Sequence, residues 1–548
     1  MSHQFQPVNA IPAETARVAH AICPTGTLAM RLRDELYSLY TDHDFADLFP
    51  TRGRPAACPW RLAVITILQF LEGLTDRQAA EAVRMRIDFK YLLGLDLTDP
   101  GFHFTVLHAF RTRLVEGAAE QRLLTTMLDR LRDEGLLKAR GRQRTDSTHV
   151  LAAVRTMNRL ELVGETVRFA LNRLAMVAPD WLRALIEPAW ADRYGMRVEN
   201  YRLPKADSER QALAAAIGAD GYRLLVAALA PDAPAAVRAE PAVEALRQVW
   251  VQQYYGPDLP VRWRTDGDAP PGRLIHSPYD LEARYSLKRG RAWVGYKTHL
   301  TETCDEDTPH LIVDVRTTPA TTPDDAVTGA IHDDLAARDL LPAEHLVDAG
   351  YTAAEHLVSG RDDHAVDLIG PVAASAGWQA RAANGFDLSQ FAIDWEAQTV
   401  TCPQGKPSRP WETRLLPNGK EAIHVRFHRD DCRACACRDA CTRAKREPRA
   451  LTFLPQAEHV ALQAARQRQA SPAFAAQYAL RAGVESTIGQ AVRVCDLRHS
   501  RYLGLARTHL QQIIAAVAIN LVRVIAWLSD VPRAPTRVSR FTALAAQG

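Results

Sequence analysis

Three acids stand in settings where a carboxylate can be aimed at a ligand. Glu485 lies in Tyr478-Ala-Leu-Arg481-Ala-Gly-Val-Glu485, with Arg493 further along, so helical spacing sets one acid among Tyr478, Arg481 and Arg493. A carboxylate that can hold a metal thus sits among groups that can grip phosphate. Asp146 falls inside or at the start of a run rich in threonine and valine, Arg144-Thr-Asp-Ser-Thr-His-Val-Leu. Asp348 closes the short apolar run His345-Leu-Val-Asp, a strand's C-terminal end, where open α/β sheets place ligand sites. Two divalent ions roughly 3.5–4 Å apart need carboxylate oxygens of this kind; they activate water and stabilise the leaving 3′ oxygen of a phosphodiester. The chain has 64 acids, so each of the three alone is a surface carboxylate by default. Taken together, they point to chemistry on a nucleic-acid backbone.

Residues 1–135 read as a helical domain. Within it, Thr75-Asp-Arg-Gln78 has the form of a capping box, and a helix from Thr105 carries Val106, Leu107, Phe110 and Leu114 at core spacing with Arg111 and Arg113 on other faces. The pair is either a DNA-reading unit or part of an ordinary bundle. The first core strand falls in 136–155, and Leu160, Val163, Val167, Leu171 and Leu174 then open an all-helical insertion over 156–260. Strand signals resume in a core segment, 261–375, with a hairpin formed by Trp293–Cys304 and His310–Arg316. A helix follows from Pro323 to Ala337, and after Asp348 a second capping-box pattern, Thr352-Ala-Ala-Glu355, starts another. A cysteine-containing insertion spans 376–455. Core helices carrying Glu485 occupy 456–530, and 531–548 read as a loose tail. The fold class expected is α/β.

The chain has 548 residues, and its formal charge of +3 is too small by itself to indicate a polyanion partner. Two local patches are basic. Arg284, Lys288, Arg289, Arg291 and Lys297 fall in one stretch without an acid, and five arginines between Arg481 and Arg507 face only Glu485 and Asp496. Each patch is either solvated surface charge or a phosphate contact. The N-terminus lacks the basic start and apolar run of a signal peptide, and Ile513–Leu528 is interrupted by Asn520 and Arg523, so a cytoplasmic chain without a membrane partner is expected. Among nine cysteines, Cys432-x-x-Cys435 supplies a chelating pair, Cys441 a third thiolate and Cys402 a fourth from a separate turn, the donor set of a closed structural zinc site. Free thiols are the alternative. His149 and His299 read more readily as hydrogen-bonded strand residues than as ligands.

The ordered motifs resemble DDE transposases of bacterial insertion sequences, most closely insertion-sequence family 1182 within the group related to families 4 and 5. The resemblance runs from about residue 60 to 530. It rests on Ser277–Ser286, Trp293–Cys304, Thr317-Thr-Pro-Ala-Thr321, Glu344-His-Leu-Val-Asp-Ala-Gly-Tyr351, Arg481-Ala-Gly-Val-Glu485 and Arg498–Gln511. It implies a ribonuclease H-like mixed-sheet core in which Asp146, Asp348 and Glu485 bind two Mg2+ or Mn2+ ions. It also implies double-stranded DNA partners, transposon ends and target, engaged as a dimer in the cytoplasm on the nucleoid. Tyr478 and Arg481 fall in the group's Tyr-x-x-Arg-x-x-x-Glu signature. The lysine expected seven residues after the Glu is Val492 here, with Arg493 one residue later, and His499 replaces an expected arginine. Arg493, Arg498, Arg501, Lys288, Arg289, Arg291 and Lys297 complete the DNA-contact candidates. A non-catalytic DNA-binding descendant and a metal-dependent nuclease without strand joining are the other functions these residues would serve.

Overall fold

The computed structural model describes residues 2, 4–257, 261–265, 271–288, 290–375, 377–382, 384–533, 540 and 544. At its centre is a six-stranded mixed sheet: β1 (Arg142–Leu151), β2 (Arg284–Lys288), β3 (Arg291–Thr303), β4 (Ile312–Pro319), β5 (Glu344–Val347) and β6 (Asp367–Ile369). β3 pairs antiparallel with β1 on one edge and with β2 and β4 in succession on the other, while β5 and β6 extend the sheet in parallel beyond β1. β1 and β3 are long and rich in Thr and Val, which suits a pleated surface packed on both sides. They approach so closely that a Cβ on Gly295, which has φ +155°, would collide with the Val150 carbonyl.

One continuous core joins this sheet to the N-terminal helices. The helix Leu505–Leu528 runs through it, and its residues from Ile513 to Leu521 are almost wholly buried with Leu68, Phe70, Leu124, Leu300 and Val313 in the same cluster. Among the described residues it is one of two helices long and apolar enough to cross a membrane by length and composition, and here it is packed inside protein. Its interruptions have partners. Asn520 Oδ1 accepts the Ile312 N–H and its Nδ2 donates to the Ile312 carbonyl, both at 2.8 Å, so the amide satisfies a strand end that would otherwise be orphaned.

Between β1 and β2 the helices Arg159–Val177, Asp207–Leu229 and Pro241–Gln253 close over a separate core containing Trp190, Trp250 and Tyr254. After β6, β7 (Ala392–Asp394) and β8 (Thr399–Thr401) pair, and β9 (Ser408–Leu415), β10 (Glu421–Phe427) and β11 (Ala450–Phe453) form a small antiparallel sheet with its own apolar cluster.

The Thr75 capping box is present, with Thr75 Oγ1 accepting the Gln78 N–H and Gln78 Oε1 accepting the Thr75 N–H. The second is not. The helix Ala354–His364 starts without a side-chain cap, because the Thr352 hydroxyl donates instead to the Ala349 and Pro371 carbonyls. Arg111 is not on a solvent face either: it is buried, and ion-pairs with Asp76 at 2.6 Å. Two helices, Ala13–Ile22 and Leu28–Leu36, open the N-terminal domain, and the basic run is divided between edge strand β2, with Arg284 and Lys288, and β3, with Arg291 and Lys297.

Candidate active site

The sheet register brings the first two acids together. β1 and β5 run parallel with Thr145 opposite Val347, so Asp146 in β1 and Asp348, the first residue past the end of β5, follow side by side. The third comes from the other side of the chain. Glu485 lies in the first turn of the helix Gly483–Cys495, which follows directly on the 3-10 turn Ala479–Ala482 carrying Arg481.

Arg481 joins all three. Its Nη2 lies 2.7 Å from Asp146 Oδ2 and 3.6 Å from Asp348 Oδ2, and its Nη1 lies 3.1 Å from Glu485 Oε1. The Arg481 and Asp146 side chains are 12% and 15% exposed, whereas Asp348 and Glu485 are 51% and 66% exposed, so the constellation opens to solvent on the side of the last two. Burial pushes the Asp146 carboxyl above its ordinary range, opposed by the Arg481 charge and reinforced by Asp348. Burial works against the Arg481 charge, but the neighbouring acids overcome it and its affinity for the proton is raised. Arg481 Nε is buried without a hydrogen-bond partner. Tyr478 stacks on Phe474 with ring centroids 5.4 Å apart; burial raises its phenol, with Asp348, Asp146 and Glu485 adding to the effect and Arg481 opposing it. Among the described residues, no three His, Cys, Asp or Glu side chains are gathered closely enough to ligate a single ion. A guanidinium stands between the acids.

The basic candidates divide by what holds them. Lys288 is close enough to Asp146 to favour its ionisation. Lys288, Arg291, Arg498 and His499 all act on His149, whose imidazole is lowered first by burial and then by these charges. Arg498 is strapped to the end of β1: its carbonyl accepts the Leu151 N–H at 2.7 Å and its Nε donates to Thr148 Oγ1 at 3.0 Å. Arg493 is exposed in the last turn of its helix, whereas Val492 packs against the core. Lys297 is bound inward, its ammonium 2.9 Å from Asp324 Oδ1 and 2.7 Å from the Thr322 carbonyl. Arg501 donates to the Leu74 carbonyl at 3.1 Å and lies 4.6 Å over the Phe70 ring, at the joint with the N-terminal helices. Arg289 lies outside the described residues.

His299 is a core residue: its Nδ1 is 2.7 Å from the Tyr351 hydroxyl, and burial lowers its imidazole to about 4. Asp324, which the sequence did not single out, faces Lys297 and lies 3.5 Å from the Ser147 hydroxyl next to Asp146. No spacing pattern announces it.

Cys402, Cys432, Cys435 and Cys441 line one cavity of about 420 Å³ beside Phe391 and Phe427. The Cys441 thiol is raised by burial, opposed by Arg449 and reinforced by the other three sulfurs. Cys437 lines the neighbouring cavity instead. All nine cysteines are unbridged.

A family model described as a transposase DDE domain matches residues 401–525, and one described as a transposase domain (DUF772) matches residues 22–113. No curated protein matches the chain. The two matches support a DDE transposase of insertion sequences, a class of DNA-cleaving and DNA-joining enzyme that generally depends on divalent metal. The DDE-domain match contains Glu485 and Arg481 but neither Asp146 nor Asp348; the sheet register sets those two acids side by side, and Arg481 links them to Glu485.

Proposed function

We propose that this chain is a transposase of insertion-sequence family 1182 with a ribonuclease H-like core. It binds the terminal inverted repeats of its element, cuts at the ends and joins the freed 3′ hydroxyls to target DNA. Asp146, Asp348 and Glu485 are its catalytic acids. The observation that carries this reading is the convergence of three acids from far-separated segments on the single guanidinium of Arg481.

The three acids have the donor chemistry for divalent cations, while Arg481 now occupies the space between them. Three hard carboxylate oxygens already face one positive group, and that group is held imperfectly, with a buried Nε lacking a partner. Asp146, Asp348 and Glu485 would hold Mg2+ or Mn2+, which when bound supplies an activated water and neutralises charge on the phosphodiester. Arg481 holds the carboxylates within reach of one another and, turned away from them, offers its planar fork to a phosphate. Lys288 acts on both Asp146 and His149, and Arg291 and Arg498 add positive charge around His149 further along the same strand; this charge draws the DNA backbone toward β1 and makes its binding salt-dependent. Arg493 and Tyr478 extend that contact. Cys402, Cys432, Cys435 and Cys441 share one cavity and a soft donor set, and would hold a structural zinc by drawing closer around it. Two ends must be brought together, which requires at least a dimer on DNA, acting in the bacterial cytoplasm.

The test is a strand-transfer assay with a labelled repeat-end duplex, target plasmid and Mg2+. Joined product supports the reading; cleavage without joining identifies a nuclease, and binding without cleavage a non-catalytic descendant.

A further inference from the structure

A buried ionic cluster lies behind the acids and makes no use of solvent. Glu302 on β3 is wholly buried, directly across from Arg144 on β1. Its Oε1 accepts from Arg144 Nε at 2.7 Å, and its Oε2 accepts from Arg523 Nη1 at 2.8 Å and from the Thr487 hydroxyl at 2.6 Å. Arg144 Nη1 in turn donates to the Leu480 carbonyl at 2.5 Å. One carboxylate thereby grips both ends of the segment that carries Arg481 and Glu485, through the residue just before Arg481 and the residue two places after Glu485.

The same cluster accounts for the glycine in Arg481-Ala-Gly483-Val-Glu485. A Cβ on Gly483 would collide with Nη1, Cζ and Nη2 of Arg144. A free arginine would swing aside at little cost. This one is fixed at its Nε by Glu302 and at its Nη1 by Leu480, so the strain would fall on the helix start. Arg144 also stands two residues before Asp146 on one strand, hence on the same face of β1. The Arg144 guanidinium thus lies against the bare backbone at Gly483, between the strand of Asp146 and the helix start that carries Glu485.

We propose that Arg144 and Glu302 are positioning residues that set the third acid and Arg481 against the first, with Gly483 as the contact surface. This rests on the reading of the three acids as metal ligands. A displacement of the helix start by even about 1 Å should lower cleavage by on the order of tenfold to a hundredfold while Lys288, Arg291 and Arg498, which lie off this helix, keep their places.

The experiment compares full-length wild type, Gly483→Ala, Gly483→Ala with Arg144→Lys, Glu302→Gln and Asp348→Asn. Three quantities are read: kcat and KM for end cleavage, Mn2+ binding to the DNA-free protein by electron paramagnetic resonance, and thermal melting. Gly483→Ala should lose about tenfold or more in kcat, keep KM for DNA within about twofold, and bind Mn2+ several-fold more weakly. Arg144→Lys, which removes the planar fork, should restore part of both, and Glu302→Gln should weaken Mn2+ binding while still melting cooperatively. Wild-type kcat and Mn2+ binding in a folded Gly483→Ala protein would overturn the proposal, as would losses that only track the folded fraction and are not relieved by Arg144→Lys. If Asp348→Asn leaves Mn2+ binding unchanged, the reading of the acids as metal ligands fails and takes the proposal with it. Weakened binding in Asp348→Asn but not in Gly483→Ala removes the positioning role alone.

Discussion

Arg481 Nη2 lies 2.7 Å from Asp146 Oδ2, and the two side chains are nearly equally shielded from water. The pair links a motif near the C-terminal end to a strand more than three hundred residues earlier, and it opposes the burial that makes Asp146 a reluctant carboxylate.

Arg481→Gln should therefore shift the acid side of the cleavage profile. Asp146 is already raised by burial, and removal of the guanidinium removes the largest influence holding it down. On the proposed reading the ionised acid is the active form, so the acid limb of kcat against pH should move to higher pH. An unchanged limb would mean that Asp146 does not control it.

Acid should also unfold the protein early. Burial lowers His299, His332 and His509 to about 4 and His345 well below its ordinary value, whereas an unfolded histidine titrates near 6.5. The folded state thus binds fewer protons than the unfolded state in that window. Stability is complete above about 6.5 and falls as pH drops toward 4, by about 1.4 kcal/mol per pH unit for each such group at most. Thermal melting across this range should show a steep decline. His332 Nε2 lies 2.9 Å from His345 Nδ1, and His345 Nε2 lies 2.6 Å from Thr145 Oγ1, so the first tertiary change should appear beneath β1 and β5.

Asn520→Leu matches the apolar pattern of its helix and should nonetheless destabilise. It strips both hydrogen bonds from the Ile312 backbone in a fully buried position. A loss of about 2–4 kcal/mol is expected in denaturant unfolding, with faster amide exchange at Ile312. A neutral outcome would show that β4 needs no such clamp.

How much of this was legible in the sequence depended on whether the signal was local. The strand bearing Asp146, the strand end at Asp348 and the helix bearing Glu485 all carry short-range patterns, as does the Thr75 capping box, and each is present. Lys297 and Arg501 read as DNA contacts and Arg111 as lying off the core face of its helix, yet each is engaged by protein: Asp324 for the first, Leu74 with Phe70 for the second, and Asp76 for the third. Their partners are distant in the chain, and a single sequence holds no record of that pairing. Glu302 was invisible for the same reason. In sequence it is one acid in a threonine-rich strand; only the antiparallel register sets it opposite Arg144.

The cysteine cavity predicts a specific stoichiometry. Purified protein should carry one zinc per chain, lost in Cys432→Ser, Cys435→Ser, Cys441→Ser or Cys402→Ser and retained in Cys437→Ser, whose thiol lines a different cavity. Metal analysis decides between this and a set of free thiols.

On the proposed reading Asp146, Asp348 and Glu485 act together on DNA. End cleavage and end binding, measured side by side in Mg2+ for Asp146→Asn, Asp348→Asn and Glu485→Gln, test it most directly. Cleavage should fall to background in all three while binding to the repeat end stays close to wild type. Cleavage by Asp348→Asn at the wild-type rate would contradict the account.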